Sequence, residues 1–197
     1  MPFRTIILFG PPGSGKGTQG KILGAMPGYF HCACGDVFRS LDPNSEMGKE
    51  FARYSKTGSL VPDELTVRLW RQAIGEKVAS GQYKPEKQLL LLDGIPRTLE
   101  QAHLLAPDLD VRAVLNLYCN DVEQIVARLS RRAKLENRAD DTDIEVIRHR
   151  IDVYEEQTAP LLAYYTNGKI YRVNATRPPE AVTEDILKSM SQAQRDW

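Results

Sequence analysis

The chain has 197 residues, 42% of them hydrophobic, which suits one domain with a sizeable core. Lys plus Arg and Asp plus Glu number 26 each, for a net charge of zero. That balance excludes the cationic field of a dedicated nucleic-acid or membrane-surface protein and leaves room for a local basic cleft.

In chain order, Arg4–Phe9 (RTIILF) predicts a buried strand and residues 15–25 the helix after it. Before that strand there is no signal-peptide architecture, and no run of 18 apolar residues follows anywhere, so a cytoplasmic protein is expected. FHCAC (30–34) predicts a short second strand. Residues 35–80 hold helical patterns broken by Pro43, Gly58 and Pro62. QLLLLDG (88–94) is a continuous apolar run closed by Asp-Gly, the pattern of a central parallel strand that ends at a site. VRAVLNLYC (111–119) predicts a strand, and residues 121–133 and 143–165 predict helices. KIYRVNA (169–175) is a last strand and 178–190 a last helix with proline at its start; SQAQRDW reads as its frayed end. Strands alternating with helices imply an α/β three-layer fold, a parallel central sheet flanked by helices. Such sheets bind ligands beyond the carboxyl ends of their strands, where the Gly10 loop, Asp93 and Asn174 fall.

Gly10, Gly13, Gly15 and Lys16 fit G-x-x-x-x-G-K between a predicted strand and helix, the context of a P-loop phosphate cradle. Main-chain N–H groups and the helix N-terminus attract the anion, and Lys16 reaches its outer phosphates. The usual Ser or Thr after the lysine is Gly17, with Thr18 one place late. A second anion site is suggested by arginines near element ends: Arg39 in CGDVFR, Arg97 in DGIPRT, then Arg128, Arg131, Arg132, Arg138, Arg148 and Arg150. Their planar forks suit phosphate oxygens, and phosphoryl transfer calls for positive charge around the moving group. Cys32, Cys34 and Cys119, with no C-x-x-C pair, read as buried reduced thiols. His31, His103 and His149 show no ligand spacing and read as surface or packing residues.

GPPGSGKGTQ, CGDVFR, GSLVPDEL, LLLDGIPRTLEQA, RLSRRAKLENRADD and RIDVYEEQTAPLLAYY occur in this order between about Arg4 and Met190. Together they resemble the adenylate kinases and the wider nucleoside monophosphate kinases, whose loop also has the GKGT form. The resemblance implies reversible, Mg²⁺-dependent transfer of the ATP γ-phosphoryl group to AMP. It implies that Gly13, Ser14, Gly15, Lys16, Gly17 and Thr18 hold the ATP phosphates. Arg128 would stack on the ATP adenine, the backbone of 176–178 would border it, and Arg132 and Arg177 would complete that side. Arg39 and Arg97 would hold the acceptor phosphate, with Cys34, Gly35, Leu60, Val61 and Gly94 around the acceptor. Gln101 would hydrogen-bond its base. Lys16, Arg97, Arg132, Arg138 and Arg150 would be catalytic. Asp93 would orient Mg²⁺ through water, with no direct protein ligand.

The same resemblance implies one P-loop domain: a core of 1–32, 63–131 and 143–197, a monophosphate-binding part at 33–62 and a short lid at 132–142. Three departures stand out. Cys34 replaces the usual Thr before Gly-Asp, and Ile95 replaces a common Phe. DDTDIEVIRHR is one residue longer than the usual spacing, which leaves Arg148 as an alternative to Arg150 for the last site arginine. Gln101 favours AMP as acceptor. A uridine/cytidine monophosphate kinase, a kinase of a small metabolite and a non-catalytic nucleotide-binding protein remain alternatives. A monomer is expected.

Overall fold

The computed structural model describes residues 1–136, 138, 141–165 and 170–193. Five strands form one sheet: β1 (Phe3–Phe9), β2 (Tyr29–Ala33), β3 (Leu89–Asp93), β4 (Leu109–Tyr118) and β5 (Ile170–Asn174). Their order is β2-β3-β1-β4-β5 and every pair is parallel. The chain adds β2 and β3 on one side of β1, then β4 and β5 on the other. The carboxyl ends of β1, β3 and β4 therefore meet at the point where strand order reverses, which is where open α/β sheets hold ligands.

Among the described residues, eight α-helices accompany the strands: α1 (Lys16–Gly24), α2 (Cys34–Arg39), α3 (Glu46–Thr57), α4 (Asp63–Ala79), α5 (Leu99–Leu105), α6 (Val122–Glu136), α7 (Ile144–Val153) and α8 (Pro179–Ala193). Both sheet faces are covered, which is why the central strands are apolar throughout. On one face Ile6, Leu8, Leu91, Leu115 and Leu117 pack with Leu23 of α1 and Val182, Ile186 and Met190 of α8. On the other, Leu90 and Leu92 pack with Val67, Trp70 and Ile74 of α4 and Leu105 of α5. Ile7, Phe9 and Val114 continue that face against Tyr154 and Leu161. Full burial of each such leucine or isoleucine contributes about 2 kcal/mol, so the sheet's position under the cleft is firmly held. A smaller cluster of Ile125, Val126, Leu129, Ile147 and Ile151 joins α6 to α7.

The boundaries depart from sequence expectation in several places; β4 starts at Leu109 rather than at residue 111, and α8 runs to Ala193 rather than to residue 190. Strand β2 stops at Ala33 and Cys34 opens α2, so the predicted strand ends one residue sooner. Helix α5 has no sequence prediction; it spans only seven residues, too few to show a 3.6-residue period, and is started by the Thr98 hydroxyl accepting from the Gln101 N–H at 3.1 Å. The predicted helix over 143–165 is α7 followed by a π-helical turn (Tyr154–Thr158) and a 3₁₀ turn (Ala159–Ala163). Pro160 lacks an N–H donor and cannot continue the α-helical ladder there. Helix α6 runs to Glu136, so the first five residues of the expected lid belong to a regular helix. Asn137, Ala139 and Asp140 of that lid, Lys169 of the predicted last strand and residues 194–197 of the predicted frayed end lie outside the described residues.

Candidate active site

The turn from β1 into α1 crosses the carboxyl edge of the sheet. Gly10 has φ +142°, and a Cβ there would sit 2.3 Å from the Leu117 carbonyl oxygen. Gly15 has φ +93°, a left-handed residue immediately before α1, and no side chain caps the helix. The first N–H groups of α1 are thus left for an external anion. Ser14 is buried with its hydroxyl oxygen unpartnered, a further polar group that a ligand would satisfy. Lys16 folds back over the loop, its Nζ donating to Gly10 O at 2.7 Å and Pro11 O at 2.9 Å. Burial pushes its ammonium down to about 8; Asp93 opposes that shift, while Arg97, Arg132 and Arg150 add to it.

Asp93 closes β3 and is 8% exposed. Its Oδ2 lies 3.6 Å from Nε2 of His31, a residue that sequence alone assigned to surface or packing and that lines the cleft. Thr18 and Gly17 line the same stretch. One carboxylate beside a phosphate loop fits Mg²⁺, which keeps several waters and takes its remaining ligands from phosphates. Among the described residues, no group of three or more His, Cys, Asp or Glu side chains is arranged to hold a metal by itself.

From the loop the cleft continues as one cavity of about 770 Å³, lined by every residue assigned to it from the sequence. On the loop's outer flank, Arg128 Nη1 donates to Ala175 O at 2.7 Å and Nη2 to Thr176 O at 3.3 Å, and Arg177 pairs with Asp185. Gln19 ties α1 to the start of α8: its Nε2 donates to Pro179 O at 2.9 Å and its Oε1 accepts from the Thr183 hydroxyl at 2.8 Å.

The middle of the cleft is cationic. Asp141, fully buried, accepts from Arg132 at 2.6 Å through one carboxylate oxygen and from Arg150 through the other. One carboxylate thus joins α6 to α7 and aims both guanidinium groups. Burial lowers the pKa of Arg132, which nonetheless stays a cation as arginines do. Arg138 pairs with Glu136 at 2.8 Å. Arg148 sits half-exposed on the far side of α7, paired with Glu123 at 3.1 Å, so only Arg150 of the two lines the cleft.

The remaining wall is built from short elements after β2 and β3. Arg97 donates from Nε to Gly94 O at 2.9 Å, and its own carbonyl accepts from the Thr158 hydroxyl at 2.8 Å. The π-helical turn brings Thr158 to that point. Burial lowers the pKa of Arg97. Arg39 is held by Asp36 of its own helix at 2.5 Å. Gln101, only 1% exposed, accepts from the Arg97 N–H at 2.7 Å and donates to Asp63 Oδ1 at 2.8 Å. Leu60, Val61, Gly35 and Cys34 complete the wall. Burial pushes the Cys34 thiol up to about 12, so it stays a neutral, weakly polar group. All three cysteines are free and buried.

Asp63, Asp141, Thr158 and Gln19 were absent from the sequence-derived set. They act on other side chains or on the main chain, and no spacing rule announces a partner 9 to 164 residues away.

Residues 8–170 match the profile of the family described as Adenylate kinase. The chain is 40% identical over 192 residues to the adenylate kinase of Thermobifida fusca, covering 94% of this chain and 97% of that one. It is 37% identical to that of Kocuria rhizophila, with the same two shares. It is 39% identical to that of a Synechococcus species, covering 92% of this chain and 93% of the other.

Proposed function

Because this chain belongs to the adenylate kinase family, we propose that it catalyses reversible transfer of the ATP γ-phosphoryl group to AMP, giving two ADP. The observation that carries the reading is the single cleft in which a main-chain phosphate cradle faces a second set of arginines around a buried amide. A hydrolase has no use for that second set.

The ATP phosphates lie against the N–H groups of Gly13–Thr18, with Lys16 leaving the Gly10 and Pro11 carbonyls to meet the outer phosphates. Arg128 and the 176–178 backbone border the ATP base. The AMP phosphate lies between Arg39 and Arg97, and Gln101, Leu60 and Val61 receive its base. An AMP phosphate oxygen attacks the γ-phosphorus in line, the bond to the β-phosphate bridging oxygen breaks, and no protein nucleophile takes part. Arg132, Arg138 and Arg150 spread positive charge around the moving group, so the rate gain comes from positioning and preorganised electrostatics. Asp93 would hold Mg²⁺ through water, and the metal would supply neutralisation of phosphate charge. Residues 33–62 and 132–142 close over the two nucleotides and keep out water, the competing acceptor. The reaction as proposed needs no residue from a second copy, and we read the chain as a monomer. A cytoplasmic location is part of this reading, and no helix among the described residues is long and apolar enough to cross a membrane.

The test is a coupled ADP assay with ATP, Mg²⁺ and equal concentrations of AMP, CMP, UMP or GMP. AMP should be favoured by at least about tenfold in kcat/KM, the scale of one lost bidentate base contact. A stronger response to CMP would overturn the choice of acceptor. Arg97→Ala should lower kcat/KM for AMP about 100-fold, the loss of one preorganised cationic donor; unchanged kinetics would remove Arg97 from the acceptor site.

A further inference from the structure

The Gln101 amide is fixed at both ends by groups that cannot change their roles. Its Oε1 faces a main-chain N–H, that of Arg97, at 2.7 Å. Its Nε2 faces a carboxylate oxygen, Asp63 Oδ1, at 2.8 Å. A main-chain N–H only donates and an ionised carboxylate only accepts. Turning the amide over would set NH₂ against N–H and carbonyl against carboxylate, losing two hydrogen bonds in a nearly dry place and adding two repulsions. One orientation is therefore compatible with the structure.

A primary amide has two hydrogens and two acceptor lone pairs. The protein uses one of each. What remains for a base in the cleft is one N–H and one lone pair whose order in space is set. A 6-aminopurine offers a donor at the 6-position beside the acceptor N1. A 6-oxopurine offers an acceptor at the 6-position beside the donor N1–H. An amide free to turn over serves either edge; a fixed one serves only one of them.

We propose that Asp63 is a specificity-determining positioning residue: by accepting from Gln101 Nε2 it fixes the amide and so sets the preference for AMP over a 6-oxopurine monophosphate. The inference rests on AMP being the acceptor. Asp63 opens the first turn of α4, just after Leu60 and Val61 of the acceptor wall and the N-terminal cap residue Pro62. Helix α5, which carries Gln101, packs against α4 through the Leu105, Val67 and Trp70 cluster. Donor and acceptor of the clamp therefore stand on two helices held by the same core, and the amide keeps its orientation without a ligand.

The experiment compares AMP with inosine monophosphate, which differs from it at the 6-position and N1, in the wild type and in Asp63→Ala and Asp63→Asn. Asn keeps an acceptor oxygen for Gln101 while losing the charge, so it controls for the carboxylate's effect on the α4 N-terminus. In Asp63→Ala, kcat/KM for AMP should fall about tenfold, the worth of a base-reading amide contact. Turnover of inosine monophosphate should hold or rise, KM for ATP should not move, and Asp63→Asn should remain close to the wild type. An unchanged AMP-to-inosine-monophosphate ratio in Asp63→Ala would overturn the proposal. So would an equal loss with both acceptors, or an Asn variant as impaired as the Ala variant. A wild type that phosphorylates neither purine would instead overturn the AMP reading itself.

Discussion

The phosphate loop presents its anion site through main-chain N–H groups and one lysine, within a stretch of six residues between β1 and the first turn of α1. The facing wall presents its charges and its amide through side chains from four helices and the turn after β3, and almost every one is held by another group: Arg39 by Asp36, Arg97 by Gly94, Gln101 by Asp63, Arg132 and Arg150 by Asp141. The difference lies in where the geometry is stored. In the loop it is stored in local backbone conformation, which a few glycines specify. In the facing wall it is stored in side-chain pairings: those of Arg39 and Arg97 are local, while those of Gln101 with Asp63 and of Arg132 and Arg150 with Asp141 join separate elements and exist only once the sheet and helices have assembled. Such a wall is adjustable: one substitution re-aims one group while leaving the loop intact.

The comparison predicts effects of different kinds. The largest belongs to Lys16, the single side chain on which the loop depends. Lys16→Met should lower kcat about 1000-fold, the upper range for a preorganised donor in a dry site, as read by steady-state kinetics. Its melting temperature at neutral pH should not fall, because burial disfavours the ammonium in the free protein. A variant with near-normal turnover would break the first half of the comparison.

Next comes Asp141, the counter-ion shared by two arginines. Asp141→Ala leaves both cations without it in a partly buried setting and should cost about 2 kcal/mol of stability, below the range for fully buried pairs because the cleft admits water. It should also lower kcat about 100-fold while the dissociation constant for ATP alone changes little. Chemical denaturation and titration calorimetry check the two parts. Equal losses in binding and turnover would mean that Asp141 merely supports the fold.

A smaller effect concerns protons. With its pKa lowered from 10.5 to about 8, free Lys16 is protonated at about pH 6.5 and largely neutral at about pH 9. Phosphate in the loop favours the charged form, so ATP binding should take up protons at the higher pH and almost none at the lower one. Calorimetry in buffers of different ionisation enthalpy measures this. The linked stability has a matching sign: the folded protein binds fewer protons than the unfolded chain between about pH 8 and 10.5, so the penalty of burying Lys16 relaxes as pH rises through that window.

The smallest effect separates two neighbours on α7. Arg148→Ala should leave kcat within about twofold of the wild type, since its exposed pairing with Glu123 contributes little. Arg150→Ala should lower kcat about 100-fold.

The same contrast explains what could be read from the sequence. The strands were visible because continuous apolar runs such as LLLL before Asp93 have one reading in a sheet covered on both faces. The loop was visible because its glycines and lysine are contiguous. Most of the arginines were picked out near predicted element ends, and each of those to which the resemblance gave a role lines the cleft. The one-residue insertion left Arg148 and Arg150 open until α7 showed that they point to opposite sides. Helix α5 went unseen because a seven-residue helix shows too little periodicity, and the break after Val153 because a π-helical turn has no compositional signature. Asp63 and Asp141 stood inside recognised motifs, yet their partners, Gln101 and the two arginines, are fixed only by tertiary packing.

Whether one cleft receives two nucleotides head to head is tested most directly by calorimetric titration with two adenosines joined by five phosphates. One molecule should bind per chain, far more tightly than ATP or AMP alone, and it should displace both. Two molecules per chain, or competition with only one of the nucleotides, would contradict a shared cleft.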